Sequence, residues 1–90
     1  MKAISKLYNL IGINIKYFRK KINMTQEELS KKVDLDRKSI THIEAGAQRV
    51  SIERLYRISD ALDISIHDIL PKSKMFIKEL IIYGCLESEK

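Results

Sequence analysis

Four side chains that form hydrogen bonds lie close together near the middle of this 90-residue chain. They are Arg37, Lys38, Thr41 and His42, and they share one face if the segment is helical. Most of them are hydrogen-bond donors, which suit phosphates, guanine N7 and O6, and thymine O4 in a major groove. A helix face that only meets solvent has the same polarity, so these residues alone leave both interpretations open.

The elements that must position this face can be read from capping residues. Thr25 and Glu28 have the spacing of a capping box, in which each side chain accepts from the backbone N–H of the other. They predict the start of a short helix that ends near Val33.

A second helix follows after a tight connection. The carboxylate of Asp36 suits its N-terminus, and Ile40 and Ile43 give it a buried stripe opposite the polar face. Residues 25–46 therefore form a predicted helix-turn-helix, with the polar face on its second helix.

The segment before this motif predicts another helix. Its buried stripe is expected to contain Ile11, Ile15, Phe18 and Ile22. Its exterior is expected to contain Lys16, Arg19, Lys20 and Lys21. Residues 1–10 continue the apolar pattern, so they either extend this helix or form a separate short one.

Two further helices are predicted after the motif. Ser51 caps a fourth helix, and Ser65 caps a short fifth helix that ends before Pro71. The stripe of the fourth helix is expected to contain Ile52, Leu55, Ile58 and Leu62. Since no segment shows sustained strand alternation, we predict an all-α, five-helix domain over residues 1–70.

Residues 71–90 have a different composition and predict an added C-terminal helix. Seven of nine positions are apolar: Met75, Phe76, Ile77, Leu80, Ile81, Ile82 and Tyr83. This is too much apolar surface for an exposed lone helix. The segment either closes the core of its own chain or forms a homodimer interface, and both can hold together. We favour the interface, because five helices already provide a core. The expected interface residues are Met75, Phe76, Leu80, Ile81 and Tyr83.

The charge is distributed unevenly along the chain. Residues 1–49 have eleven Lys or Arg and five Asp or Glu, whereas residues 50–90 have six and seven. A basic half that contains the predicted motif is expected of a surface that binds a polyanion such as DNA. An anionic membrane would attract the same surface, but no run approaches the ~20 apolar residues of a spanning helix. We expect no membrane association.

Other functional classes have little support. A single cysteine, Cys85, and no secretory signal fit a cytoplasmic protein. His42, His67 and Cys85 show neither the spacing of metal ligands nor a nucleophile paired with a base. We therefore expect no enzyme activity, no metal and no cofactor.

Three short runs are more specific than these patterns. They read MTQEEL at 24–29, IEAG at 43–46 and LDISI at 62–66. The stretch from Ile11 to Leu70 that contains them resembles the phage repressor/Cro-like helix-turn-helix domain, or XRE family. The LDR start of the second motif helix, at 35–37, and the chain length also resemble the controller proteins of restriction-modification systems. The resemblance implies a transcriptional regulator that binds a palindromic double-stranded DNA operator as a homodimer.

The resemblance also implies roles for individual residues. Arg37, Lys38 and His42 occupy positions that reach base edges, and Thr41 serves a base or a phosphate. Arg37 is the first choice, because its planar fork can make two bonds to one guanine. Gln26 matches a glutamine that supports a side chain of the recognition helix and touches the DNA backbone.

Further matches concern the DNA backbone and the frame of the domain. Thr25, Gln48 and Arg49 match positions that contact phosphates, while Arg19 and Glu44 match an ion pair between the first and recognition helices. The chain departs from the family at two turns, where Asn23 and Asp34 replace glycines. Both residue types tolerate the left-handed conformation, so we expect the turns to be kept.

A protein-interaction role is the alternative. In it, the C-terminal apolar helix binds a partner such as a toxin or an antagonist, while the N-terminal domain binds DNA. Antitoxins of this family look much the same.

Overall fold

The computed structural model describes the backbone of residues 2–72 and the side chains of residues 6–72. The described residues form five α-helices and no strand, which confirms the predicted all-α class. The helices are α1 (Lys2–Lys21), α2 (Gln26–Lys32), α3 (Arg37–Glu44), α4 (Ile52–Ala61) and α5 (Ile66–Ile69). The predicted C-terminal helix, with Met75, Phe76, Leu80, Ile81 and Tyr83, lies outside the described residues.

Each of the four predicted caps begins the helix expected of it. The Thr25 hydroxyl accepts from the Glu28 N–H at 3.0 Å, and the Thr25 N–H donates to the Glu28 carboxylate at 2.8 Å. Asp36 accepts from the Ser39 N–H at 2.7 Å. Ser51 and Ser65 cap α4 and α5 in the same way. These bonds satisfy orphan N–H groups at the helix starts, so local chemistry fixes where the motif helices begin.

Three turns between helices depend on left-handed residues. Asn23 and Asp34 have φ of 57°, so the two turns with replaced glycines are kept, as predicted. Asp63, with φ of 58°, makes a third such turn between α4 and α5, which was not predicted from the sequence. Asn and Asp accept this conformation more readily than most residues, which explains all three positions.

The N-terminal residues extend α1 instead of forming a helix of their own, since one helix runs from Lys2 to Lys21. This long helix lies very close to the end of α3. A Cβ atom added to Gly12 would stand 2.4 Å from the carbonyl oxygen of Ile43 and 2.6 Å from that of Glu44. One built on Gly46, where φ is +74°, would stand 2.7 Å from the Cα atom of Asn9. The two glycines therefore permit the contact between α1 and α3.

Apolar side chains from all five helices form one core. Its buried members are Ile11, Ile15, Leu29, Val33, Ile40, Ile43, Val50, Leu55, Ile58, Leu62 and Ile69. The prediction is wrong for two residues that were expected in the core, since Ile22 is 49% exposed and Ile52 is 63% exposed. Ile22 follows the last residue of α1, where the chain turns away and helical periodicity no longer applies. Ile52 is the first residue of α4, and Val50, two residues earlier, is buried instead.

Arg19 is a third correction. This residue was predicted to lie on the exterior of the first helix, but only 6% of it is exposed. A guanidinium can be buried at low cost only if its charge and its N–H groups are paired. The partners that make this possible belong to the candidate site.

Candidate nucleic-acid interface

The outer face of α3 brings together the four residues that were expected to contact bases. Arg37, Lys38, Thr41 and His42 are all exposed, and together they line a shallow concavity of about 370 Å³. The opposite face of the same helix carries Ile40 and Ile43, which are buried. This division allows α3 to be fixed by the core while its donor-rich face stays free for a ligand.

An ion pair inside the domain links α1 to the end of α3. The Arg19 Nε donates to Glu44 Oε2 at 2.6 Å, and Nη2 donates to Oε1 at 3.0 Å. Arg19 Nη1 donates to the carbonyl oxygen of Met24 at 2.7 Å. The Arg19 side chain is 8% exposed and that of Glu44 is 3% exposed. Two parallel bonds of this kind fix orientation as well as distance, so the outer face of α3 is held relative to α1.

Gln26, the first residue of α2, lies between this ion pair and the exposed face. Its Nε2 donates to Glu44 Oε1 at 3.0 Å, and its Oε1 accepts from the Thr41 hydroxyl at 2.9 Å. The Thr41 hydroxyl is also 3.0 Å from the carbonyl oxygen of Arg37. One chain of hydrogen bonds therefore runs from Arg19 through Glu44 and Gln26 to Thr41, on the face of α3.

Comparison with known proteins identifies this arrangement. The family model described as Helix-turn-helix matches residues 15–69. The chain belongs to the helix-turn-helix family. It is thus a DNA-binding regulator of transcription of the XRE class, as the sequence predicted, and α3 is the second helix of its helix-turn-helix.

Individual relatives agree with this family. An HTH-type transcriptional regulator of Archaeoglobus fulgidus is 44% identical over 55 residues, which cover 61% of this chain and 78% of the relative. The control protein C.BamHI of Bacillus amyloliquefaciens is 39% identical over 62 residues, or 68% of this chain and 76% of the relative. The crystal structure of the restriction-modification controller protein C.AhdI from Aeromonas hydrophila is similar, with a TM-score of 0.68. That structure is 25% identical, and the match covers 70% of this chain and 91% of that chain.

Two carboxylates cap the helices of the helix-turn-helix. The backbone N–H of Thr25, with its hydroxyl, holds the pKa of Glu28 below its usual value. The backbone N–H of Ser39 does the same for the pKa of Asp36. Both groups are therefore charged at neutral pH, and Asp36 adds one negative charge at the start of α3. The cations of this face, Arg37 and Lys38, follow directly and offset it.

The residues expected to contact the DNA backbone lie at two places. Thr25 is exposed at the N-terminus of α2, next to Gln26, which is half-buried. Gln48 and Arg49 lie in the loop between α3 and α4, where Arg49 is exposed and Gln48 is half-buried. The two groups thus lie at the start of α2 and just after α3, at the two ends of the helix-turn-helix in the sequence.

Two residues that fix how α1 packs against the other helices were not predicted from the sequence. Gly12 lets α1 lie against the end of α3, and a glycine inside a helical pattern was the available signal. Asn14 donates from its Nδ2 to the carbonyl oxygen of Ile69 at 2.7 Å, which joins α1 to α5. Nothing in the sequence pattern distinguishes Asn14 from an exposed polar residue.

Neither a metal site nor a membrane-spanning helix occurs in the part of the chain that the structure describes. Within residues 2–72, no three His, Cys, Asp or Glu side chains come together as a metal site would require. The same residues contain no helix with both the length and the apolar character needed to cross a membrane.

Proposed function

We propose that this helix-turn-helix protein binds a palindromic DNA operator as a homodimer and regulates promoters in the manner of a controller protein. The observation that carries the proposal is the exposed face of α3, with Arg37, Lys38, Thr41 and His42 around one concavity. The excess of positive charge in residues 1–49 supports a polyanionic ligand. The similarity to a control protein supports the narrower, controller-like role.

In this proposal, two sets of residues have different tasks. Arg37, Lys38, Thr41 and His42 enter the major groove and contact base edges, which specify sequence. The second set contacts the sugar-phosphate backbone and fixes the register on the duplex: Thr25, Gln26, Gln48 and Arg49. Gln26 can do so while it supports Thr41, because its amide has a second N–H beyond the one bonded to Glu44.

The dimer part of the proposal assigns residues 1–70 to DNA binding and residues 71–90 to association. The apolar residues between 75 and 83 would form the interface, and two recognition helices would then lie about 34 Å apart on one face of the DNA. Because the operator would lie in the genome, the protein would act in the cytoplasm. In the alternative, the same apolar residues bind a different protein, so the experiment on association must distinguish the two.

The test of DNA binding begins with selection of a preferred site from random duplexes, followed by substitution of one arginine from each set. Arg37→Ala should weaken binding by about 1–3 kcal/mol and relax specificity at one base position in each half-site. Arg49→Ala should weaken binding to all duplexes alike and reduce the dependence on salt. Equal losses without any change in sequence preference from both variants would refute the two roles.

The test of association uses light scattering on the full chain and on a chain without residues 72–90. We expect the mass of a dimer for the full chain and of a monomer for the shortened one. Circular dichroism provides the control, because α1 to α5 must remain folded for the comparison to be valid. An unchanged mass after deletion would contradict the interface, and a monomeric full chain would favour a different protein as the partner.

A further inference from the structure

The hydrogen bonds between Arg19 and Thr41 have a fixed direction. A guanidinium only donates and an ionised carboxylate only accepts, so Arg19 and Glu44 leave no choice at their end. The Gln26 amide must then turn its NH₂ group toward Glu44 and its oxygen toward Thr41. The flipped amide would face one acceptor with another at 3.0 Å. Because of the buried ion pair, Gln26 therefore presents an acceptor to the recognition helix.

This direction determines what the Thr41 hydroxyl does. A hydroxyl has one hydrogen and two acceptor lone pairs. Two acceptors within the chain compete for that hydrogen, Gln26 Oε1 at 2.9 Å and the Arg37 carbonyl oxygen at 3.0 Å. Whichever of the two receives it, the hydrogen remains inside the protein. Thr41 is exposed, so its lone pairs are what it offers to a ligand.

We propose that Thr41 is a specificity-determining residue that reads DNA only as a hydrogen-bond acceptor. Its target is then an exocyclic amino group, the N6 group of adenine or the N4 group of cytosine, since these are the donors in the major groove. A phosphate cannot be its partner, because phosphate oxygens also accept. This inference rests on the proposed function, in which α3 enters the major groove.

With this assignment, the exposed face of α3 carries two complementary kinds of base-contacting side chain, donors and an acceptor. Arg37 and Lys38 can only donate, and they require the O6, N7 or O4 acceptors of a base. Thr41 requires a donor and lies one turn further along the same helix face as Arg37. This face therefore recognises two neighbouring bases. One presents an acceptor to Arg37 or Lys38, and the other presents an amino group to Thr41.

The experiment measures coupling between Thr41→Val and single-atom changes in the selected duplex. Valine matches threonine in shape but has no hydroxyl, and Thr41→Ser is the control that keeps it. In one duplex series, purine replaces adenine and 2-pyrimidinone replaces cytosine, one position at a time, so that each duplex lacks one amino group. At one position in each half-site, loss of the amino group should lower the affinity of the unaltered protein about three- to tenfold. The affinity of Thr41→Val should hardly change there. Thr41→Ser should behave like the unaltered protein.

A second series removes O6 or O4 from single bases, and a third replaces single phosphates with uncharged methylphosphonates. Coupling of Thr41→Val to the second series would overturn the assignment, and so would coupling to a phosphate to which Gln26→Ala is not coupled. So would a Thr41→Val variant that binds every duplex as the unaltered protein does. Failure of the unaltered protein to select any duplex would instead count against the proposed function. Circular dichroism of both variants checks that the exposed substitution leaves the fold unchanged.

Discussion

Replacing Glu44 with leucine is expected to lower the free energy of unfolding by about 3–5 kcal/mol, because it leaves a buried arginine without its counter-charge. The Arg19 side chain is only 8% exposed, and two of its three hydrogen bonds go to the Glu44 carboxylate. Leucine can accept neither bond, so the guanidinium would have to lose its charge partner or leave the interior. Urea denaturation followed by circular dichroism measures the change.

The chain contains a matched control for this variant. Glu53 and Arg57 also pair a carboxylate with a guanidinium, through one bond of 3.1 Å within α4, but their side chains are 75% and 55% exposed. Glu53→Leu removes a carboxylate that is exposed to water instead of a buried one. It should therefore change the free energy of unfolding by less than about 1 kcal/mol. Similar losses from Glu44→Leu and Glu53→Leu would contradict the special role of the buried pair.

A double variant separates the burial of a charge from the loss of a bond. Arg19→Met with Glu44→Leu replaces the pair with apolar side chains, which in other proteins is often neutral or stabilising. We expect the double variant to recover much of the stability that Glu44→Leu loses. Recovery should stay incomplete, because the Met24 carbonyl and the Gln26 amide lose partners as well. DNA affinity should recover less than stability, since Gln26 is no longer held against Thr41.

Local chemistry explains why the helix-turn-helix could be predicted from the sequence. Caps such as Thr25 and Asp36 act on backbone groups within three residues, so their effect does not depend on the rest of the fold. The polar face of α3 follows from the same local periodicity. The pairing of Arg19 with Glu44, 25 residues apart, came from the family resemblance and not from any pattern in the chain.

The failures also have physical causes. Ile22 and Ile52 lie at helix ends, where a periodic stripe loses its meaning because the backbone leaves or enters the helix. Arg19 was predicted to be exposed because arginine side chains usually are. Its burial depends on partners that are distant in the sequence. The hydrogen-bond direction through Gln26 was equally inaccessible, since it depends on three side chains from three different helices.

The contact between α1 and α3 depends on the absence of a side chain at Gly12. Replacing this glycine is therefore expected to have a large effect. In a free helix, Gly12→Ala would stabilise by about 1 kcal/mol, because alanine has the higher helix propensity. Here the new Cβ would stand 2.4 Å and 2.6 Å from two backbone oxygens in the last turn of α3. Backbone atoms cannot rotate away as a side chain can, so α1 and α3 would have to separate.

We therefore expect Gly12→Ala to lower the free energy of unfolding by about 3 kcal/mol, near the upper end of the usual cost of overpacking. The control is Lys16→Ala, an exposed position on the same helix, which should stay within about 0.5 kcal/mol of the unaltered protein. Separation of α1 from α3 would also displace Glu44 from Arg19, so DNA affinity should fall even where the variant remains folded. A Gly12→Ala protein as stable as the unaltered one would contradict the close approach, and with it the account of how α1 holds the recognition helix in place.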